Sequence, residues 1–332
     1  MQPILDPINR RAALARLAGG AALAVSATSR GAIDDDGKRP PARIFAFTFD
    51  RMGATPQPIS GIVSIDPEDG TWTKVAPTSY TRPRASPDGR LVLCFRMAVP
   101  PDDGLYLCDS DGGEPPRKLA GGQITDYCWS PDGKEILFSE RTMVDFKTWR
   151  MKPDGTGRVE VPIAENDSVL DWSPDGRWLL TASWRGVEQK SLRAINARAV
   201  YLVHPDGTGE RRLFEPSPFR PAFRFSPDAK TVVFHRPTVA RGGPYRLEMI
   251  DVDGKEARTF LGPREHEGPV QAVWSPDGKE LAVLYMSDDG QPITVDTIEK
   301  LTYHLEIVSA DGKRSRRHDV LEGIRFGLGD WR

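Results

Sequence analysis

From Ile44 onward the chain alternates short apolar runs with two kinds of polar punctuation. The runs at residues 44–49, 90–95, 135–138, 178–180, 231–234 and 280–284 are short and rich in aliphatic, β-branched and aromatic residues. Runs of that length bounded by turn residues predict strands. Five of them follow the same kind of turn. It reads Trp129-Ser130-Pro131-Asp132-Gly133 and returns at Trp172 to Gly176 and Trp274 to Gly278. Looser copies stand at Ala85 to Gly89 and Phe225 to Ala229. Pro presets φ for the second turn position, Ser and Asp can engage nearby backbone N–H groups, and Gly takes the closing position at positive φ.

A second punctuation runs in antiphase with the first. Its six copies end in Asp69-Gly70, Asp111-Gly112, Asp154-Gly155, Asp206-Gly207, Asp253-Gly254 and Asp311-Gly312. Each follows one β-run and precedes another, as expected of hairpins with Asp-Gly turns. One unit is therefore four strands, with a Ser-Pro-Asp-Gly turn between the first and second and an Asp-Gly turn between the third and fourth. Successive Ser-Pro-Asp-Gly/Ala turns are 43 to 53 residues apart, the size of a propeller blade.

The unequal counts of the two turns predict how the ring closes. The first hairpin is preceded by Ile44-Phe45-Ala46-Phe47-Thr48-Phe49 with no first strand ahead of it. Gly329-Asp330-Trp331 echoes Leu170-Asp171-Trp172, and Trp331 follows Gly312 by 19 residues where Trp129 follows Gly112 by 17. Residues 324–331 should thus be the innermost strand of the first blade. The expected fold is all-β, a six-bladed β-propeller of four antiparallel strands per blade, with the first blade closed by the C-terminal strand and no ring edge left open.

Aromatic-Ser-Pro-Asp-Gly, an apolar strand and an Asp-Gly hairpin together resemble the repeat of the TolB-like β-propellers, whose blades are WD-repeat-like. The matching residues run from about 43 to 332. That family is similar to the propeller half of the envelope protein TolB, to the propeller caps of prolyl-oligopeptidase-type peptidases and to some polysaccharide lyases. Three departures qualify what the resemblance implies. The sequence leaves no room for the N-terminal α/β domain of TolB, it contains no Gly-x-Ser-x-Gly, and Ala229 replaces Gly in one turn.

Composition adds bounds. Charged residues are 28% and hydrophobic residues 39% of 332, as in soluble globular proteins, and the net charge of −2 gives no reason to expect nucleic acid as a partner. Cys94, Cys108 and Cys128 fall in predicted strands and read as small buried residues. A Cys94–Cys108 cross-strand bridge is the alternative in an oxidising compartment. Residues 1–30 differ from the rest: Asn9-Arg10-Arg11-Ala12-Ala13-Leu14 precedes a run of small apolar residues at 17–27. This resembles a twin-arginine export signal, with Ala13 and Arg16 as departures. The run is too short for a stable membrane span. The expected organisation is an export signal at 1–30, a linker at 31–42 and the propeller at 43–332, in an exported, periplasmic or cell-envelope protein.

Candidate chemistry lies on the rim opposite the turns. From each Ser-Pro-Asp-Gly/Ala turn to the next Asp-Gly glycine the spacing is 23, 22, 31, 25 and 34 residues, so the connections on that rim vary, and variable loops on rigid scaffolds carry binding. Arg51, Arg96, Arg141, Arg185 and Arg236 stand at or just past the end of the second strands there, and the sixth blade has Met286. Such a near-ring can hold carboxylate, phosphate or sulfate by bidentate bonds. Alternatively these arginines pair with blade acids such as Asp50 and Glu140. No catalytic motif is present, and no His or Cys spacing suits a metal or other cofactor. The basic residues 313–317 read as a solvated edge on an outer strand. The expected function is non-enzymatic binding of a protein or peptide, with an anionic glycan as a second ligand class. The alternative is a polysaccharide lyase or hydrolase at the channel mouth, drawing on Asp126, Asp167, Glu265 or His266. A purely structural protein is a third reading.

Overall fold

The computed structural model describes residues 41–49, 61–77, 79–142, 145–183, 185, 198–217, 222–238, 245–254, 256–287, 301–318 and 325–332. All of them belong to one compact unit, residues 38–332. Six four-stranded antiparallel sheets stand around a common axis. The innermost strands are Tyr80–Ala85, Gln123–Trp129, Ser168–Trp172, Arg224–Phe225, Glu267–Trp274 and Arg325–Trp331. Each packs on the next round the ring, and the last packs on the first.

The C-terminal strand closes the first blade as expected. Arg325–Trp331 pairs with Ile44–Phe49 in a register that sets Trp331 opposite Ile44. Arg43 and Arg332 complete the ladder with reciprocal backbone bonds of 2.6 and 3.0 Å.

The core is divided into slices between blades. Ile44, Val63 and Trp331 of the first blade pack against Val273, Ala282 and Ile307 of the sixth. Phe45 and Ile62 pack against Val92 and Tyr106 of the second, and the remaining neighbours are joined in the same way. Each sheet is therefore buried on both faces, which is why strands such as Gly61–Ile65 and Leu179–Ser183 are buried throughout. The outermost strands face solvent, and both residues of Val159–Glu160 are exposed. Cys94, Cys108 and Cys128 are free and buried, so the first expectation for them holds and the bridge does not form. Among the described residues, no helix is long and apolar enough to cross a membrane.

Five innermost strands share one irregularity. Their pairing with the second strand slips between Thr81 and Arg84, Ile124 and Asp126, Val169 and Asp171, Pro269 and Gln271, and at Gly329. A β-bulge breaks the two-residue alternation and re-aims the side chains beyond it. Here the bulges face the channel.

Candidate functional site

The two ends of the channel are built differently. At one end the Ser-Pro-Asp turns repeat a single bonding scheme. The serine Oγ donates to the aspartate Oδ1 at 2.5 to 2.8 Å. That oxygen accepts the N–H two residues on at 3.1 Å. The serine Oγ in turn accepts the N–H five residues on at 2.8 to 3.0 Å. These bonds hold the carboxyls of Asp132, Asp228 and Asp277 below the usual range. They are ionised acceptors with their lone pairs engaged, suited to fixing a turn rather than to moving a proton. Ala229 fills the glycine place with φ of 59°.

One ring position stands immediately before each turn aromatic or its equivalent. Round the ring these are Asp330, Arg84, Cys128, Asp171, Arg224 and Val273. Arg84 donates from Nη2 to Asp171 Oδ1, and its Nε lies 3.7 Å from Asp330 Oδ2. All three side chains are buried. Asp171 Oδ2 also accepts the Phe225 N–H at 3.1 Å. Burial opposes the charge on Arg84, but Asp171 and Asp330 outweigh it and raise the affinity for the proton. Arg224 is compensated less: Asp171 and Asp330 also favour its charge, but they do not outweigh burial. Its Nη1 and Nη2 donate to the carbonyls of Phe223 and Gly329 at 2.8 and 3.2 Å, and its Nε is buried with no partner. Burial, reinforced by the charge of Arg84, pulls its pKa down to about 10.

Above this floor, toward the long-loop rim, lies a cavity of ≈ 320 Å³. The bulge residues Arg82, Pro83, Thr125, Leu170 and Gly329 line it, with Arg198, Arg224, His235 and Gln271. Its volume is within the range of small-ligand pockets. Apolar wall comes from Phe47, Val200, Phe214, Phe223 and Leu328. Arg82 spans two blades, donating to the carbonyls of Thr125 and Ile124 while its guanidinium lies 4.7 Å from the Phe95 ring centroid. His235 stands edge-to-face with Tyr245, and burial pushes its pKa down to about 4.

The described rim arginines are held by neighbouring acids and rings. Arg185 makes a bidentate pair with Glu210 at 2.8 and 2.7 Å and reaches Asp167 at 2.7 Å. Arg236 lies 3.1 Å from Glu248 and over Phe214. Arg96 sits between Tyr80 and Tyr106, 3.8 Å from Asp102. Arg141 lies over Phe146, exposed. Glu140 pairs with Arg158 at 2.6 Å rather than with Arg141. Arg51 and Asp50 lie outside the described residues. In the sixth blade, where the sequence has Met286, a guanidinium arrives from the loop before the innermost strand. Arg264 lies over Tyr285 and grips Glu306 at 2.6 and 2.9 Å. Against the pull of burial, His304 and Arg264 hold that carboxyl at about 2.

None of the described rim arginines lines the cavity; Arg82, Arg84, Arg198 and Arg224 do. The acids named for an enzymatic site are also dispersed. Asp126 lines the cavity, Asp167 is buried against Arg185, and Glu265 and His266 are exposed beside one another at 3.7 Å. His204 stacks on Trp178. Among the described residues no cluster of metal-ligating side chains occurs.

Fold and repeat together define the class: the chain is a six-bladed β-propeller whose repeat is TolB-like. The WD domain, G-beta repeat family matches residues 166–187, one strand–turn–strand of the fourth blade. An uncharacterized protein of Agrobacterium fabrum (strain C58) is 30% identical over 215 residues, covering 60% of this chain and 67% of that protein. A tricorn protease homolog of Saccharolobus solfataricus is 23% identical over 256 residues, 68% of this chain but only 23% of the relative. The crystal structure of TolB from Acinetobacter baumannii shares the fold with a TM-score of 0.60 at 17% identity, over 88% of this chain and 68% of that one.

Proposed function

We propose that this protein is a non-enzymatic binding propeller of the cell envelope, taking a protein or peptide partner at the long-loop end of its channel. The carrying observation is the cavity: bounded toward the turn rim by the Arg84–Asp171–Asp330 cluster and walled by apolar and cationic groups together. A cavity bounded in this way offers a socket to an inserted side chain or chain end. The dispersed acids speak against the lyase or hydrolase alternative, since acid–base catalysis needs paired groups within reach of one substrate atom. The exposed Arg141 and the partly exposed Arg96 extend the binding face outward along the rim, where an anionic glycan would engage them. Residues 1–30 serve as the export signal and 31–42 as the linker, which a fusion of residues 1–42 to a periplasm-dependent reporter tests by Arg10→Lys, Arg11→Lys loss of export.

A photo-crosslinking side chain introduced at Leu170, in the cavity, and separately at Pro131, on the turn rim, tests the binding face in cells. Adducts from the Leu170 position alone are expected. Adducts from the Pro131 position alone, or cleavage of a polysaccharide by the purified chain, would overturn the reading.

A further inference from the structure

The polar groups of the cavity specify the chemistry of what enters it. Arg224 is the clearest indicator. It shares the ring with Arg84, yet the two aspartates of that ring lie within ion-pair distance of Arg84 and not of Arg224. Its Nη atoms are occupied by neutral carbonyls, and its Nε is buried and unpartnered. A guanidinium partly withdrawn from water whose hydrogen bonds go only to neutral groups is incompletely compensated. His235 lines the same cavity with its Nδ1 buried and unpartnered. Arg82, also on the wall, is likewise bonded to carbonyls rather than to a carboxylate. Asp126 is the one carboxylate on the wall.

We propose that the cavity is a carboxylate-binding site, in which Arg224 and His235 receive the anionic head of a ligand whose apolar body packs on Phe214, Phe223 and Leu328. The inference rests on the binding reading above and gives it a chemical class: a monocarboxylate carrying an aromatic or branched aliphatic group. A free organic acid and the C-terminal residue of a peptide present the same chemistry. In both cases the carboxylate supplies what Arg224 lacks, and His235 donates from a neutral ring, so no proton is taken up on binding near neutral pH. Asp126 selects against a second negative charge on the ligand.

Calorimetric titration of the full chain with N-acetylphenylalanine and with its neutral amide tests this. The acid should bind and the amide should be weaker by at least about tenfold, the value of one charge-assisted hydrogen bond. Arg224→Gln should remove the difference between the two probes, whereas Arg177→Ala on the turn rim should leave it intact. A tetrapeptide ending in Phe, compared with N-acetylphenylalanine, separates the sources: tighter binding of the peptide acid identifies a chain terminus, equal binding a small acid. Equal affinity for acid and amide would overturn carboxylate recognition while leaving the cavity as a binding site. Absence of binding by either probe at millimolar concentration would overturn the proposal, and crosslinking from the Leu170 position then decides whether the wider binding reading falls with it.

Discussion

The turn rim and the channel floor occupy successive positions in the same strands, yet they obey opposite rules. At the turns, Ser86, Ser130, Ser173, Ser226 and Ser275 make the same bonds at the same distances. Two residues earlier, the equivalent places hold Arg84, Cys128, Asp171, Arg224 and Val273. A repeat that must set strand register has one good solution, and each blade adopts it. A ring position near the axis cannot be filled by six like charges, so it is differentiated. Arg84, Asp171 and Asp330 form an ionic cluster, and Cys128 and Val273 join the apolar core between blades. The place where the repeat breaks is thus where a specific function can be built.

The largest expected effect comes from the floor. Asp171→Leu strands the buried Arg84 and should destabilise the fold by about 3 to 5 kcal/mol, read from denaturant unfolding. Combining it with Arg84→Met should recover most of that loss, because the pair is removed together. If the double variant is as unstable as the single one, the floor is not an ion-paired unit.

The turns should give a smaller and uniform cost. Ser130→Ala removes a donor to Asp132 and an acceptor for the Glu135 N–H, worth about 1 to 2 kcal/mol. Ser86→Ala, Ser173→Ala and Ser275→Ala should cost the same within error, and a wide spread would show that the turns are not equivalent.

His235 supplies a pH-dependent contrast. Its folded pKa of about 4 lies below the ordinary 6.5, so the unfolded chain takes up the proton first. The stability this group contributes is therefore complete above pH 6.5 and is lost as pH falls toward 4. His235→Leu should flatten the melting-temperature profile across that window. Glu306, held at about 2, should keep its contribution until the solution is far more acidic.

Ala229 should give the smallest effect. At φ of 59° a Cβ costs about 1 kcal/mol, part of which Gly returns through unfolded-chain entropy. Ala229→Gly should raise the melting temperature slightly, and a decrease would mean that its methyl group, itself buried, contributes more by packing than it costs in strain.

The fold was legible because its signals are local. Pro131, Asp132 and Gly133 dictate a turn irrespective of what surrounds them, and Trp331 could be matched to Trp129 by counting. The channel was not legible because the bulges at Thr125, Leu170 and Gly329 shift which side chains face inward, and strict alternation carries no sign of a slip. The rim arginines show a second barrier. Arg185 was identifiable by position, but its partner Glu210 lies 25 residues away, just before the outermost strand of the blade, and the guanidinium of the sixth blade, Arg264, comes from the loop before the innermost strand. Pairing between strands decides which charges are spent within the blade and which remain for a ligand.

Hydrogen exchange of the full chain with and without saturating N-acetylphenylalanine tests the division of labour most directly. The account predicts slowed exchange at residues 82–84, 125–127 and 222–225, around the cavity, with no change at the Ser-Pro-Asp turns. Protection centred on residues 130–133, 173–176 and 275–278 would place binding on the turn rim and contradict it.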